Sequence, residues 1–345
     1  MQIDIIGFEN ANAVRLRDRL KSRGHTARVI PAEDLYLDLC EGRNIVVPYD
    51  TLPLPDVVVS LTSTDTVSAF EALQVLVDAG VPVINQAAAL EKSANKFRTA
   101  LALGEAGVRH PRVIQVCTQK ALEEAARRVG FPLVIKAHDG SEGNTVFLVK
   151  QESELIRQFA RMRRVYGMEI TDRSPVLIQE FMAESVGRDK RVFVVGGVAV
   201  AGMERVAQPG EWRSNLSQGA YPHATVLTEE ETAVAMRSVL ALGLDFGVVD
   251  VMPVSGGPAV IEVNSGGDFV DIVAMSGIDI VEVLCRYIES KGGEGEWNPL
   301  AEELPLLDST ELEREVKFAW DRIARKAEEL ALQAKKEALS NVLKG

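Results

Sequence analysis

The sequence predicts an α/β protein that opens with a helix-covered parallel sheet and continues through two hairpin-bearing segments to a long helix. Three observations predict it. Across the first 90 residues, short apolar runs alternate with stretches of helical spacing, the pattern of a parallel sheet with helices on its faces. From residue 133 onward, apolar runs come in pairs joined by glycine-bearing turns. The 345 residues are 46% apolar and 26% charged, a globular composition at a length of about two domains. Such a chain builds its core without disulfides.

The elements follow in order. Ile3 to Ile6 reads as a strand, followed by a turn at Gly7 and a helix carrying Val14, Leu16 and Leu20 to about Gly24. Ala27 to Ile30, Val57 to Leu61 and Val81 to Ile84 are strands, and Ala69, Leu73, Leu76 and Val77 have helical spacing between the last two. Ala89 to Gly104 reads as one helix, bearing Lys96 and ended by Gly107, Val108 and Pro111. A helix over Gln119 to Val129 leads through Gly130-Phe131-Pro132 to the strand Leu133-Val134-Ile135-Lys136. A loop of glycine and small polar residues, Asp139 to Asn144, separates it from a returning strand at Val146 to Val149. Val176 to Phe181 is a strand, Arg191 to Met203 a hairpin turning at Gly196-Gly197, and Glu229 to Leu242 a helix. Gly247 to Val251 and Ala259 to Val263 form a further hairpin, and Ile278 to Ile288 is a helix. Lys291 to Pro299 reads as a linker. Thr310 with Glu313 has capping-box spacing, and Leu312, Val316, Ala319, Ile323, Ala327, Leu330 and Ala334 then mark one face of an amphipathic helix to about Val342. That face is spaced to pack either on its own body or on a partner subunit.

Composition excludes several functions. With 38 Lys and Arg against 50 Asp and Glu, the net charge is −12, a poor match for nucleic acid or an anionic membrane. No apolar run approaches the roughly 18 residues of a membrane span, and Met1-Gln2-Ile3-Asp4 lacks the basic region of a signal peptide. Cys40, Cys117 and Cys285 are far apart and odd in number, which points to a reducing, cytoplasmic setting. His25, His110, His138 and His223 form no HExxH pair, and CxxC, GxSxG, GxGxxG and GxxxxGK[ST] are absent. Gly7 therefore reads as a tight turn rather than a phosphate loop. A nicotinamide-dependent oxidoreductase, which the opening unit brings to mind, fails on the missing glycine fingerprint.

Three groups of residues offer chemistry. Asp250, Glu262 and Asn264 sit on the two strands of one predicted hairpin, and Glu262 and Asn264, two apart, share a face. Three oxygen donors converging there suit a hard cation such as magnesium; the alternative is a polar outward strand face. Among the basic residues Lys96, Lys136, Arg188, Arg191, Arg205 and Arg213, Lys136 ends a strand beside the Gly140–Gly143 loop. It reads either as a phosphate ligand assisted by loop N–H groups or as a solvated lysine. Gln179-Glu180-Phe181-Met182 leaves a strand edge where backbone groups meet a purine and a side chain covers its face, or else ends an ordinary core strand.

Residues 176–290 closely resemble the RimK-type branch of the ATP-grasp carboxylate–amine ligases. The resemblance is carried by Ile178-Gln179-Glu180-Phe181, Gly187-Arg188-Asp189, Arg191 through Gly197, Gly210-Glu211-Trp212-Arg213-Ser214-Asn215-Leu216, Gly247 through Asp250, Ile261-Glu262-Val263-Asn264 and Gly277 through Ile280. It implies an α+β ATP-grasp fold in which residues 1–90 form the N-terminal α/β domain, 91–180 a lid-like central part and 181–290 the C-terminal part with the magnesium site. Residues 291–345 add a linker and helix. It further implies that Lys96 and Lys136 bind phosphate, that Gly140, Ser141 and Gly143 close over it, and that Gln179, Glu180 and Phe181 form the adenine hinge. Asp189 matches the ribose-binding acid, and Asp250, Glu262 and Asn264 match the ligands of two magnesium ions, with manganese as a substitute. Arg205, Arg213 and Asn215 match the residues near the transferring phosphate and the substrate carboxylate.

The implied activity is amide-bond formation. ATP converts a carboxylate to an acyl phosphate, and the amine of an amino acid or peptide then attacks it, with Arg205 facing the oxyanion. The resemblance favours glutamate as the added amino acid and a homo-oligomer, dimer or tetramer, as the assembly. Acceptors within the class are ribosomal proteins, amino-group carrier proteins, peptides and small molecules. A non-catalytic ATP-binding regulator or scaffold is the reading outside it. The chain departs from the branch at Ser265-Gly266-Gly267-Asp268-Phe269-Val270-Asp271, where Asp268 and Asp271 offer carboxylates to a substrate ammonium unless Asp268 caps the next turn. It also departs at Glu142, at Ser60-Leu61-Thr62-Ser63-Thr64, and in the length of Arg161 to Pro175.

Overall fold

The computed structural model describes every residue except 42, 63–67, 138–144, 166–174, 267, 299–302 and 345. The first unit comprises β1 (Gln2–Gly7), α1 (Ala11–Ser22), β2 (Thr26–Ile30), β3 (Tyr36–Cys40), β4 (Arg43–Val47), β5 (Val57–Leu61), α2 (Ser68–Asp78) and β6 (Val83–Ile84). Its sheet has the order β2-β1-β5-β6, parallel throughout, as the alternation of strand and helix requires. Gly7 ends β1 instead of forming a turn. A Cβ there would lie 2.9 Å from the Leu61 carbonyl oxygen, so glycine serves the close approach of two strands. The antiparallel hairpin of β3 and β4 was not predicted.

Next come α3 (Ala87–Ala94) and α4 (Lys96–Glu105), where the sequence predicted one helix. Asn95 breaks it. Its backbone is extended, and its side chain accepts the N–H groups of Phe97 and Arg98, each at 3.0 Å. Satisfying two free donors at a helix start offsets the interrupted spiral. Lys96 therefore stands at the first turn of a new helix.

A second, antiparallel sheet follows. β7 (Val113–Val116), α5 (Gln119–Val129), β8 (Leu133–Ala137), β9 (Val146–Val149), α6 (Leu155–Val165) and β10 (Val176–Glu180) give the strand order β7-β10-β8-β9. Leu122 and Ala126 of α5 and Phe159 and Met162 of α6 pack on Leu133, Ile135 and Ile178.

The largest sheet uses β11 (Arg188–Val195), β12 (Val198–Val206), β13 (Tyr221–Ala224), β14 (Phe246–Met252) and β15 (Ala259–Asn264), in the antiparallel order β13-β12-β11-β14-β15. Around it lie α7 (Glu229–Leu242), α8 (Val270–Ser276), α9 (Ile280–Lys291) and α10 (Ser309–Lys344). Both faces are covered, so its strands read as unbroken apolar runs. Val192, Val194 and Val249 pack with Val234 and Val239 of α7, Ala89 of α3 and Leu103 of α4. Phe193, Phe246 and Val248 turn the other way, toward α9 and the Ile3, Ile5 and Leu16 of the first unit.

The tail returns to this body. Trp297, in the predicted linker, donates Nε1–H to the Gly196 carbonyl at 3.2 Å and sits where a Gly196 Cβ would fall. The capping box of α10 belongs to Asp308 and Glu311, two residues before the predicted pair Thr310 and Glu313. Asp308 Oδ1 accepts Glu311 N–H at 2.8 Å, and Glu311 Oε2 accepts Asp308 N–H at 3.3 Å. Asp, Thr and Ser all cap helices, so the Asp308 spacing met the same rule as the predicted one. Part of the helix packs on its own body. Ala319 is buried, Glu315 pairs with Arg15 at 2.6 Å, and the Arg15 guanidinium lies 4.9 Å from the centre of the Phe318 ring.

One buried side chain fastens the first sheet to the largest. Asn85 accepts the N–H groups of Asp245 at 2.7 Å and Phe246 at 3.1 Å, and donates to the carbonyls of Phe246 at 2.9 Å and Ser265 at 3.0 Å. Asn85→Leu would leave these backbone groups unpaired, so we expect a loss of about 2–4 kcal/mol, read as a lower urea midpoint. An unchanged midpoint would show that the latch carries no weight.

Candidate active site

Two cavities adjoin, the smaller between the second sheet and the largest sheet, the larger between the largest sheet and α10. The smaller, about 110 Å³, is lined by Lys96, Lys136, Gln179, Glu180, Phe181, Met182, Asp189, Trp212, Arg213 and Ile261. The larger, about 560 Å³, is lined by Arg191, Asn264, Asp268 and Asp271, and by Arg322, Ile323, Arg325 and Lys326 of α10. Arg205, Asn215, Asp250 and Glu262 line both, forming the wall between them.

Sheet register builds this wall. Asp189 on β11 faces Arg205 on β12, Arg191 faces Asp250 on β14, and Asp250 faces Glu262 on β15. Beyond that pair the register shifts, since Val251 faces Val260 and leaves Ile261 as an extra residue. This bulge lets Ile261 and Glu262, neighbours in sequence, both reach the smaller cavity, which strict alternation forbids.

Charges cross the wall in a chain. Arg205 donates Nε–H to Asp189 Oδ1 at 2.7 Å, and its Nη2 to Asp189 Oδ2 at 2.5 Å and Asp250 Oδ2 at 3.0 Å. Arg191 Nε holds the other Asp250 oxygen at 2.9 Å, and Ser214 Oγ donates to Asp189 at 2.6 Å. Lys96 Nζ lies 2.6 Å from Glu262 Oε1. Burial works to raise the Asp250 and Glu262 carboxyls, but the cations beside them prevail and hold both below the usual carboxylate range. Lys136 is 6% exposed; burial, with the Lys96 charge added, pushes its ammonium down to about 8. Glu262 opposes part of that shift.

The structure gathers most of the predicted residues. Gln179 is buried at the end of β10, the Glu180 N–H bonds the Arg112 carbonyl at 2.9 Å, and Phe181 meets Trp212 edge to face at 5.8 Å between ring centres. Phe181 and Trp212 thus give the small cavity an aromatic surface beside its lysines and carboxylates. Arg213 is held by Glu211 through Nε at 2.9 Å and Nη2 at 3.0 Å. Asp189 is 2% exposed with both oxygens bonded to Arg205, so it is placed to seat that guanidinium and not to receive a ribose. Arg188 stands apart, exposed and paired with Glu204 at 2.6 Å. Gly140, Ser141 and Gly143 lie outside the described residues. Ser214 and Arg322, which sequence reasoning gave no role, touch site carboxylates. The Arg-Ser-Asn run pointed toward the former, and no local signal points to the latter.

The donor set fits magnesium. Two carboxylates in register and a carboxamide two residues on offer hard oxygen atoms on one wall. Among the described residues no cluster of three His, Cys, Asp or Glu forms a metal site, so the Asn264 oxygen is needed to complete this set.

A cavity with two lysines and an aromatic pair, sharing an acidic wall with a second, polar cavity, is an arrangement suited to a ligase that uses a nucleotide. The family model described as a RimK-like ATP-grasp domain matches residues 93–288. The chain is 31% identical over 287 residues to a probable alpha-L-glutamate ligase of Teredinibacter turnerae, covering 80% of this chain and 90% of that protein. It is 30% identical over 290 residues to one of Shewanella loihica, covering 80% and 91%. The ATP-grasp ligase PsnB in complex with its minimal precursor superposes with a TM-score of 0.63 at 19% identity, covering 84% of this chain and all but 1% of that one (99%). A D-alanine–D-alanine ligase of Bacillus anthracis in complex with ATP gives 0.63 at 17%, covering 84% and 97%. These two likenesses establish the fold. The chain belongs to the RimK-like ATP-grasp family of carboxylate–amine ligases.

The lowered Lys136 value carries a pH dependence. A phosphate beside the ammonium favours its charged form, so nucleotide affinity is full below the free-state value and falls as pH rises through about 8. We expect ADP affinity to drop by up to about tenfold per pH unit above that point, and Lys136→Arg to flatten the profile. Calorimetric titration at a series of pH values checks this; a flat profile in the unmodified protein would remove Lys136 from the phosphate site.

Proposed function

We propose that this ligase adds an amino acid, glutamate by its relatives' names, to a carboxylate of a peptide, protein or small-molecule acceptor. The observation that carries the reading is the shared wall. One cavity has the lysines and aromatic surface suited to ATP, the other is open and polar, and Arg205, Asn215, Asp250 and Glu262 face both.

The steps follow from the side chains. Lys96 and Lys136 lie where they neutralise the phosphates, while Phe181 and Met182 cover the base. Asp250, Glu262 and Asn264 would hold magnesium, which when bound spreads phosphate charge. An acceptor carboxylate oxygen attacks the γ-phosphorus, ADP leaves, and an acyl phosphate remains. An amine then attacks the carbonyl carbon, and phosphate departs as the amide forms. Arg205 faces the oxyanion of that second step. Burial disfavours its charge, but the Asp189 and Asp250 carboxylates outweigh that, keeping the guanidinium protonated and fixed in angle, so little reorganisation is needed when charge develops. Asp189 acts through Arg205 as a positioning residue.

A reducing compartment, the cytoplasm, accords with Cys117 and Cys285 standing as free thiols. Among the described residues no helix is long and apolar enough to cross a membrane. Sizing of the full chain measures the dimer or tetramer that the resemblance implies.

The test is ATP turnover with magnesium, pooled amino acids and a peptide extract, followed by mass spectrometry. We expect ADP together with a species heavier by one glutamyl residue. Glu262→Ala and Asp250→Ala should lower ADP release by about 10²-fold or more, and Arg205→Lys by about 10²–10³-fold in kcat. Tight ATP binding with neither ADP nor a new mass would favour a nucleotide-binding regulator instead.

A further inference from the structure

The family model ends at residue 288, yet α10, which begins at Ser309, forms a wall of the larger cavity. The attachment point is Arg322. Its Nη1 bonds Asp268 Oδ2 and its Nη2 bonds Asp271 Oδ2. Both acids lie in the segment after Asn264 where the sequence departs from the RimK-type pattern. Asp268 is held further by Asn12 Nδ2 at 3.3 Å and by the Val270 N–H at 3.2 Å. Asp271 is 1% exposed, so its charge needs a cation, and the helix supplies one. The carboxylate pair that looked available for a substrate ammonium already binds a guanidinium of the same chain.

That attachment decides what the cavity presents to a ligand. The acids that line it are matched: Asp250 by Arg191 and Arg205, Glu262 by Lys96, Asp268 and Asp271 by Arg322, and Glu329, at the rim of the cavity, by Lys326. On the opposite wall, Arg325 and Lys326 follow Arg322 by three and four residues, which places them on the same helix face and in the cavity lining. Arg325 Nε contacts the Asp321 carbonyl at 3.3 Å, and Lys326 contacts Glu329, 69% exposed, at 3.3 Å. Such a surface contact is worth little and is readily exchanged for a better anion. Arg325 brings the planar fork that grips a carboxylate through two N–H groups.

We propose that α10 completes the substrate site of this ligase, with Arg325 and Lys326 binding a carboxylate of an acidic amino acid or acidic peptide, and Arg322 seating them through Asp268 and Asp271. This deepens the ligase reading and rests on it for the identity of the cavity as the substrate side. It makes the added helix a determinant of specificity, and Arg322 a positioning residue.

The experiment is calorimetric titration of the full chain, with ADP and magnesium present, using L-glutamate, L-glutamine and tri-L-glutamate as probes. We expect an acidic probe to bind at least about tenfold more tightly than L-glutamine, which lacks only the side-chain charge. The double variant Arg325→Ala with Lys326→Ala should lose that preference while its ADP affinity stays unchanged. Arg322→Ala should lose it too, and Arg322→Lys should recover part of it. Failure of both acidic probes to bind, equal affinity for glutamine, or full affinity in the double variant would each overturn the proposal. ADP release, measured separately, reports on the ligase reading. Variant-sensitive acidic binding without turnover would sink that reading and leave only the acidic-ligand subsite on α10 standing, while turnover indifferent to Arg325 and Lys326 would overturn the subsite and leave the ligase reading intact.

Discussion

The active-site wall depends on one buried guanidinium. Arg205 spans from β12 to Asp189 on β11 and Asp250 on β14, so a single planar group ties three adjacent strands at the level of the cleft. Each ion alone would be expensive to bury, and the arrangement is tolerable because every member is paired and hydrogen-bonded. Its worth lies more in fixing geometry than in net stability. Arg191 on one side and Lys96 through Glu262 on the other extend the same alternation of charge. These cations are held in set positions, the condition the proposed mechanism needs for electrostatic stabilisation at low reorganisation cost.

The surrounding fold explains how so polar a centre is held rigid. The largest sheet is sandwiched between α7 with α3 and α4 on one face and the first unit with α9 on the other. Its central strands are immobilised by apolar contacts on both sides, and only their ends toward the second sheet are left to carry charge. The second sheet packs its own core beneath α5 and α6 and presents Lys136 and Gln179 toward those ends. The smaller cavity thus sits at the seam between two separately packed cores, and the larger one continues from it toward α10.

Much of this was legible in the sequence because it is local. Two-residue spacing brought Glu262 and Asn264 to one wall, and the hairpin around Ser255-Gly256-Gly257-Pro258 set Asp250 opposite them. The order of motifs identified the family. What escaped depends on distant partners or on near-equal local choices. Asn95 looks harmless inside a helical pattern, and only its capping bonds reveal the break. Asp308 and Thr310 obey one capping rule, and packing chooses between them. The β3–β4 hairpin carries only a short signal, the alternation of Leu37 and Leu39 with polar neighbours. Asp189 matched a ribose ligand by position, yet its cross-strand neighbour claims it. The 51-residue and 54-residue separations between Arg322 and its two aspartates leave no trace in any window of sequence.

The bulge at Ile261 sets regularity of the sheet against use of the cleft. Removing that one residue would let β14 and β15 pair without interruption, a mend that a sheet judged on hydrogen bonding alone would welcome. The repaired strand would keep Glu262 opposite Asp250 but carry one fewer side chain into the smaller cavity. Selection for sturdiness and selection for turnover therefore pull this strand in opposite directions, and a version of the protein hardened by shortening it would keep its shape and lose its trade.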